Sequence, residues 1–248
     1  MLSKIFVSFE HTITPVDLNA SLANAFGDAS FLAAMNNSVC DCLTGYGGSK
    51  EASAKMNLRK LCESFDKVSW TAIEAHLDSI PIDETFLEFV EFCRARNIEC
   101  SILSESFDGW IARILTRFGI RDIPIFANNI SIESNNGHTR ILPTFPYDSE
   151  ECRCCACCKR DIIVSKTPEE GLVVFVGNHP TDFCPARYAD VVFAKEHLQS
   201  FCQSENISYH RFKTFRDARE QLSGLLEKKR IHRRREATVN RQALYVAG

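Results

Sequence analysis

Lys4-Ile5-Phe6-Val7-Ser8-Phe9-Glu10-His11-Thr12-Ile13-Thr14 is the stretch whose reading decides the fold. Ile5, Phe6 and Val7 form a short apolar run of β-favouring residues, the composition of a strand buried on both faces. The run then breaks into hydroxyls and a carboxylate. In an open α/β sheet, ligands sit beyond the carboxyl ends of the strands, so these polar residues are expected to face a site.

Downstream, residues 17–80 read as helical, with apolar residues at three- and four-residue spacings around Leu18 and Leu22, Phe31, Met56 to Phe65, and Ser69 to Leu77. Pro81 interrupts. From Asp83 helix and strand alternate. A helix capped by Asp83-Glu84-Thr85 leads to a strand over 98–103 that stops at Ser104. A helix over 107–118 is closed by Gly119 at its C′ position. A short strand over 123–127 and a separate hairpin around Asn135-Asn136-Gly137 follow. Then come a helix holding Lys159, strands over 172–176, 190–194 and 207–210, and helices over 197–204 and 215–226. This order predicts an α/β fold, a Rossmann-like parallel sheet covered on both faces. The helical insert falls directly after the first strand end, so it is expected to hang over the site as a cap. The expected division is a core of residues 1–16 and 81–226, a cap of 17–80, and a basic tail of 227–248.

The chain has 248 residues, 45% hydrophobic and 25% charged, the makeup of an ordinary globular protein. A net charge of −3 points to neither nucleic acid nor membrane as partner. Met1 to Lys4 runs straight into the strand, which predicts no secretory leader and a reducing cytoplasm. The tail carries Lys228, Lys229, Arg230, Arg233, Arg234 and Arg235; a solvated extension of the last helix is favoured over a nucleic-acid or targeting role. Twelve cysteines are present. Most sit singly in apolar patterns, but Cys152, Cys154, Cys155, Cys157 and Cys158 cluster. Zinc or a redox pair are the functional readings of the cluster. The spacing is not the two-plus-two of a zinc ribbon, even with His138 as an added ligand, and a compact, partly exposed loop of reduced thiols is favoured over zinc.

In order and spacing, residues 4–225 resemble the haloacid dehalogenase superfamily, in the branch of phosphoserine phosphatases and methionine-salvage phosphatases with a helical cap after the first strand. The resemblance implies four motifs. The first, Asp-x-Asp-x-Thr, supplies a nucleophile and an acid; here Ser8 and Glu10 stand at those positions and Thr12 is kept. The second is a strand-end Ser or Thr that holds the phosphoryl group, matched by Ser104. The third is a Lys that neutralises phosphate and nucleophile, matched by Lys159. The fourth is Gly-Asp-Gly-x-x-Asp, whose acids hold magnesium. Gly177-Asn178-His179-Pro180-Thr181-Asp182 matches it in frame, with Asn178 replacing the first Asp and Asp182 retained.

A Ser hydroxyl is a poor nucleophile without a base. Losing carboxylates at positions 8 and 178 leaves a set expected to bind magnesium weakly, if at all. The expectation is a catalytically impaired binder of a phosphorylated or anionic small molecule. The alternatives are an active phosphomonoester hydrolase using Glu10, His11 or His179 as base, and a non-enzymatic interaction module using cap and tail.

Overall fold

A computed structural model describes residues 2–27, 54–65, 68–135, 138–149, 152, 155–228 and 231–247. Strand β1 (Leu2–Ser8) lies at the centre of a seven-stranded sheet, between β2 (Glu99–Phe107) and β5 (Leu172–Gly177), parallel to both. Ser8 pairs in register with Leu103, and Val7 with Val176. With β3 (Ile125–Asn135), β4 (His138–Thr144), β6 (Val191–Ala194) and β7 (Tyr209–Arg211), the order is β4-β3-β2-β1-β5-β6-β7. Among the named pairings only β3 with β4 is antiparallel.

The pleat of β1 explains why its apolar run is continuous. Ile5, Val7 and Phe9 enter one buried cluster, while Phe6 points to the opposite face with Phe175 and Val192. The first cluster is covered by α4 (Thr85–Ala95), α5 (Asp108–Arg117) and α9 (Phe215–Glu227), through Phe89, Ile111 and Phe215 among others. The second is covered by α6 (Lys159–Ser165), α7 (Phe183–Ala186) and α8 (Glu196–Ser204). The described part of the expected cap holds α1 (Leu18–Phe26), α2 (Ala54–Ser64) and α3 (Trp70–Leu77). Leu22, Leu61 and Ile73 of these helices join the same buried cluster as Ile5 and Val7. The helix expected from residue 28 onward lies outside the described residues. Local chemistry sets the helix ends: Asp17 caps α1 by accepting from Ala20 N at 2.8 Å, and Gly119, at φ +76°, follows α5 in the left-handed conformation that glycine takes without strain.

Three expectations need correction. Strand β2 does not stop at Ser104 but runs to Phe107, because after Leu103 it leaves β1 and continues beside β3, pairing Phe107 with Asn128. The short strand and the hairpin strand are one: β3 pairs β2 through its first residues and β4 through its last, so the polar Asn128-Asn129 is no break.

The third concerns the tail. It is not a solvated extension of α9 but forms α10 (Arg235–Ala247), packed against α6. Arg241, 2% exposed, pairs at 3.1 Å with Asp190, and Arg234 donates to the carbonyls of Ala186 and Arg187. Removing one partner of a buried ion pair leaves an unneutralised charge. Asp190 keeps two backbone donors, Val173 N and Arg234 N, so the expected cost of Arg241→Met is moderate, ~2 kcal/mol in urea unfolding. A loss under ~0.5 kcal/mol would show that the docking contributes nothing.

The cysteine loop is less exposed than expected. Cys152, Cys157 and Cys158 are buried and Cys155 is partly so; Cys154 and the side chain of His138 lie outside the described residues. Burial pushes the Cys157 thiol well above its usual range.

Candidate functional site

The six residues expected at the site are all buried: Ser8 and Glu10 at and beyond the end of β1, Ser104 where β2 parts from β1, Asn178 and Asp182 in the turn after β5, and Lys159 at the start of α6. The strand ends place Ser8, Ser104 and Asn178 side by side, and Lys159 enters from the first turn of α6. Lys159 Nζ donates to Ser8 Oγ at 3.0 Å, to Asp182 Oδ1 at 2.7 Å and to Thr181 Oγ1 at 3.2 Å. Ser104 Oγ donates to Glu10 Oε1 at 2.7 Å and accepts from Ser106 N at 2.9 Å.

The fourth-motif turn is held from inside. Asp182 Oδ2 accepts from Asn178 N at 2.8 Å and His179 N at 3.0 Å, closing the loop after β5. Gly177 makes this possible, since a Cβ there would lie 2.7 Å from Asp182 Oδ2. Asn178 is also engaged: its amide nitrogen donates to His11 O at 3.1 Å, and its Oδ1 accepts from His197 N at 3.1 Å. Thus both oxygens of Asp182 and the one of Asn178 already have partners within the protein.

Electrostatics follow from burial. Desolvation raises the Glu10 carboxyl from 4.5 to about 7, against the opposing pull of Lys159 and the Ser104 hydrogen bond. Burial alone would lower the Lys159 ammonium, but the carboxylates of Asp182, Glu10 and Glu105 together outweigh it and hold the proton firmly. Burial lowers His179, favouring the neutral ring.

The raised Glu10 makes stability depend on pH. The folded chain keeps a proton that the unfolded chain loses, so this group's contribution falls as pH rises from about 4.5 to about 7. The full difference is about 3 kcal/mol. Urea unfolding should therefore show Glu10→Gln gaining about 2.5 kcal/mol of stability relative to the parent between pH 5 and pH 8. Parallel pH profiles would refute the assignment.

Sequence reasoning missed Glu105 and Asp17 as site groups. Glu105 is a half-buried carboxyl raised by desolvation and accepting from Ala156 N at 3.2 Å; an acid directly after the motif Ser104 was the available signal. Asp17 carries in sequence only the signal of a helix cap. His11, Asp17 and His179 bring their ligand atoms within 4.8 Å of one another, and the two imidazoles lie nearly parallel with centroids 5.0 Å apart. Beside the site opens a cleft of about 1210 Å³, walled by His11, Asn178, Lys195, Arg211, Lys213 and Asp217 among others. Among the described residues no helix is long and apolar enough to cross a membrane.

Comparison with known proteins places these features in context. A family model described as Putative Phosphatase matches residues 5–228. A 2-hydroxy-3-keto-5-methylthiopentenyl-1-phosphate phosphatase from Brevibacillus brevis is 27% identical over 217 residues, covering 86% of this chain and 91% of its own. Pdp3-interacting factor 1 from Schizosaccharomyces pombe is 27% identical over 240 residues, covering 89% and 95%. Among solved structures, a phospho-aspartyl intermediate analogue of phosphoserine phosphatase superposes with a TM-score of 0.62 at 16% identity, over 92% of this chain and 99% of that one. That likeness carries the fold.

Proposed function

Because the chain belongs to the Putative Phosphatase family, within the haloacid dehalogenase superfamily, we propose that it binds a phosphorylated small molecule at the ends of β1, β2 and β5 without hydrolysing it by the aspartyl-phosphate route. The observation that carries this reading is the setting of Ser8. It is a neutral hydroxyl accepting from Lys159 Nζ at 3.0 Å, while Glu10, the nearest candidate base in sequence, is engaged by Ser104. Loss of a covalent nucleophile lowers kcat by roughly 10⁶-fold in a hydrolase where it has been measured.

Magnesium, which the family resemblance implies, does not suit these residues. It demands charged oxygens in octahedral array, and Asp182 spends both of its own on Lys159 and the turn, while Ser8 and Asn178 bring none. An anion's attraction to the site rests instead on Lys159 and on the Ser104 hydroxyl, which must give up their internal partners as the ligand enters. Protonated Glu10 tolerates a dianion and ionised Glu10 repels it, so affinity should fall as pH rises past about 7.

The relatives' phosphatase activity supports a phosphomonoester as the ligand class; the cleft's Lys195, Arg211 and Lys213 favour one with further anionic or polar groups. Residues 17–80 are taken as the cap that selects it. The buried thiols of Cys62, Cys157 and Cys202 favour the reducing cytoplasm. Titration calorimetry with orthophosphate and a panel of phosphomonoesters tests the binding. Saturable heats at pH 6 that weaken by pH 8 are expected, and their absence across the panel would sink the reading.

A second reading draws on Glu10 itself. A carboxyl near 7 is tuned for general acid–base work, so a hydrolase that activates water is the alternative. It requires Glu10→Gln and His179→Ala each to lower phosphomonoester hydrolysis by roughly 100-fold or more.

A further inference from the structure

We infer that His11, Asp17 and His179 form a binding site for one divalent transition-metal ion of the zinc class, at the rim of the anion pocket. None of the three occupies a position where the family resemblance puts a magnesium ligand. The inference stands on its own geometry and does not rest on the loss of phosphatase chemistry.

Two imidazoles and one carboxylate are a donor set suited to zinc and iron(II), and three protein ligands leave an open coordination position. Their ligand atoms lie within 4.8 Å of one another. A tetrahedral ion with bonds near 2.0 Å needs them about 3.3 Å apart, so the site must contract slightly.

The hydrogen bonds leave room for that. His11 sits at φ +54°, a strained left-handed conformation for a non-glycine residue, and its ring makes no hydrogen bond among the described residues. Its only ring contact there is the parallel stack on His179. The χ2 torsion of histidine is soft, so the His11 ring is free to turn its lone pair toward an ion.

His179 is fixed differently. Its Nδ1 lies 3.2 Å from the Thr181 hydroxyl and accepts from Thr181 N at 3.5 Å, so an ion at Nε2 requires the ring proton to sit on Nδ1. A metal-bound imidazole characteristically donates its other N–H, and the Thr181 hydroxyl is the acceptor within reach. The same Thr181 hydroxyl accepts from Lys159 Nζ at 3.2 Å, so the histidine and the anion-neutralising ammonium share one neighbour. Asp17 commits Oδ1 to capping α1 and has Oδ2 to offer.

The open position of such an ion would accept water or an oxygen of an anion bound alongside. The site would thereby replace the positive charge that the family resemblance assigns to magnesium with an ion held by this chain's own histidines.

The test is a titration of the full-length reduced chain with Co²⁺, displaced by Zn²⁺ and followed by visible absorption, without phosphate. One equivalent bound through nitrogen and oxygen ligands is expected. Two variants preserve the fold: Asp17→Asn keeps a good helix cap, and His11→Asn tolerates the left-handed conformation. Each should weaken binding by at least about tenfold with the urea midpoint unchanged. Unchanged affinity in both, a spectrum dominated by thiolate charge transfer from the cysteine loop, or no binding at all would overturn the assignment. No arm depends on phosphate or turnover, so the outcome is separate from that of the proposed function.

Discussion

Replacing Lys159 by Met should cost about 3–5 kcal/mol of stability and abolish phosphate binding together. Lys159 is 4% exposed and Asp182 is fully buried, with 2.7 Å between their charged atoms. Methionine fills the volume of the side chain but leaves Asp182, Glu105 and Glu10 without the cation that offsets them. Two backbone donors still hold Asp182, which keeps the loss at the lower end of the range. Without the pull of Lys159, Glu10 should rise above its value of about 7. Urea unfolding and calorimetry with orthophosphate read the two effects. A variant within ~1 kcal/mol of the parent that still binds phosphate would place the anion site elsewhere.

The second large effect is a gain. Ser8→Asp combined with Asn178→Asp should create magnesium-dependent phosphomonoesterase activity at least about 10³-fold above the parent. The change restores a charged nucleophile beside Lys159 and Ser104 and returns two charged oxygens for the metal. It also carries an internal check. Asn178 donates to the His11 carbonyl, and a carboxylate there cannot, so two acceptors would face each other until a cation intervenes. Magnesium should therefore raise the melting temperature of the double variant and leave the parent's unchanged. Orthophosphate release with and without chelator measures the activity, and adding Glu10→Asp removes the extra methylene as a variable. A double variant as inactive as the parent, with or without that third change, would mean that the scaffold is no longer arranged for the reaction.

How far the sequence carried this account depended on the kind of signal. The α/β alternation and the central place of β1 were legible because an apolar run such as Ile5-Phe6-Val7 reports burial on both faces directly. The polar run from Ser8 to Thr12 was legible from its place at a strand end, whereas Ser104, Lys159, Asn178 and Asp182 were placed by the motifs of the family resemblance; the structure brings all six residues together.

What failed was the inference of breaks from polarity. Ser104-Glu105-Ser106 and Asn128-Asn129 look like strand ends, yet their side chains serve the site or a neighbouring strand: Asn128 donates to Glu105 O at 2.7 Å. The basic tail looked solvated because its partners, Asp190 and the carbonyls after α7, lie some fifty positions earlier and carry no periodic signal. For the same reason no spacing links positions 11, 17 and 179. The engagement of Asp182 by its own turn, and of Asn178 by His11 O and His197 N, was also invisible, since a motif match names the residue but not the direction its side-chain atoms face.

The central claim, a phosphate-ester site without aspartyl-phosphate turnover, is tested most directly by ³¹P NMR of a phosphomonoester with a stoichiometric amount of the protein in magnesium at pH 6. A shifted or broadened ester resonance that persists with no orthophosphate signal is expected. Conversion of the ester to orthophosphate, prevented by chelation, would contradict it.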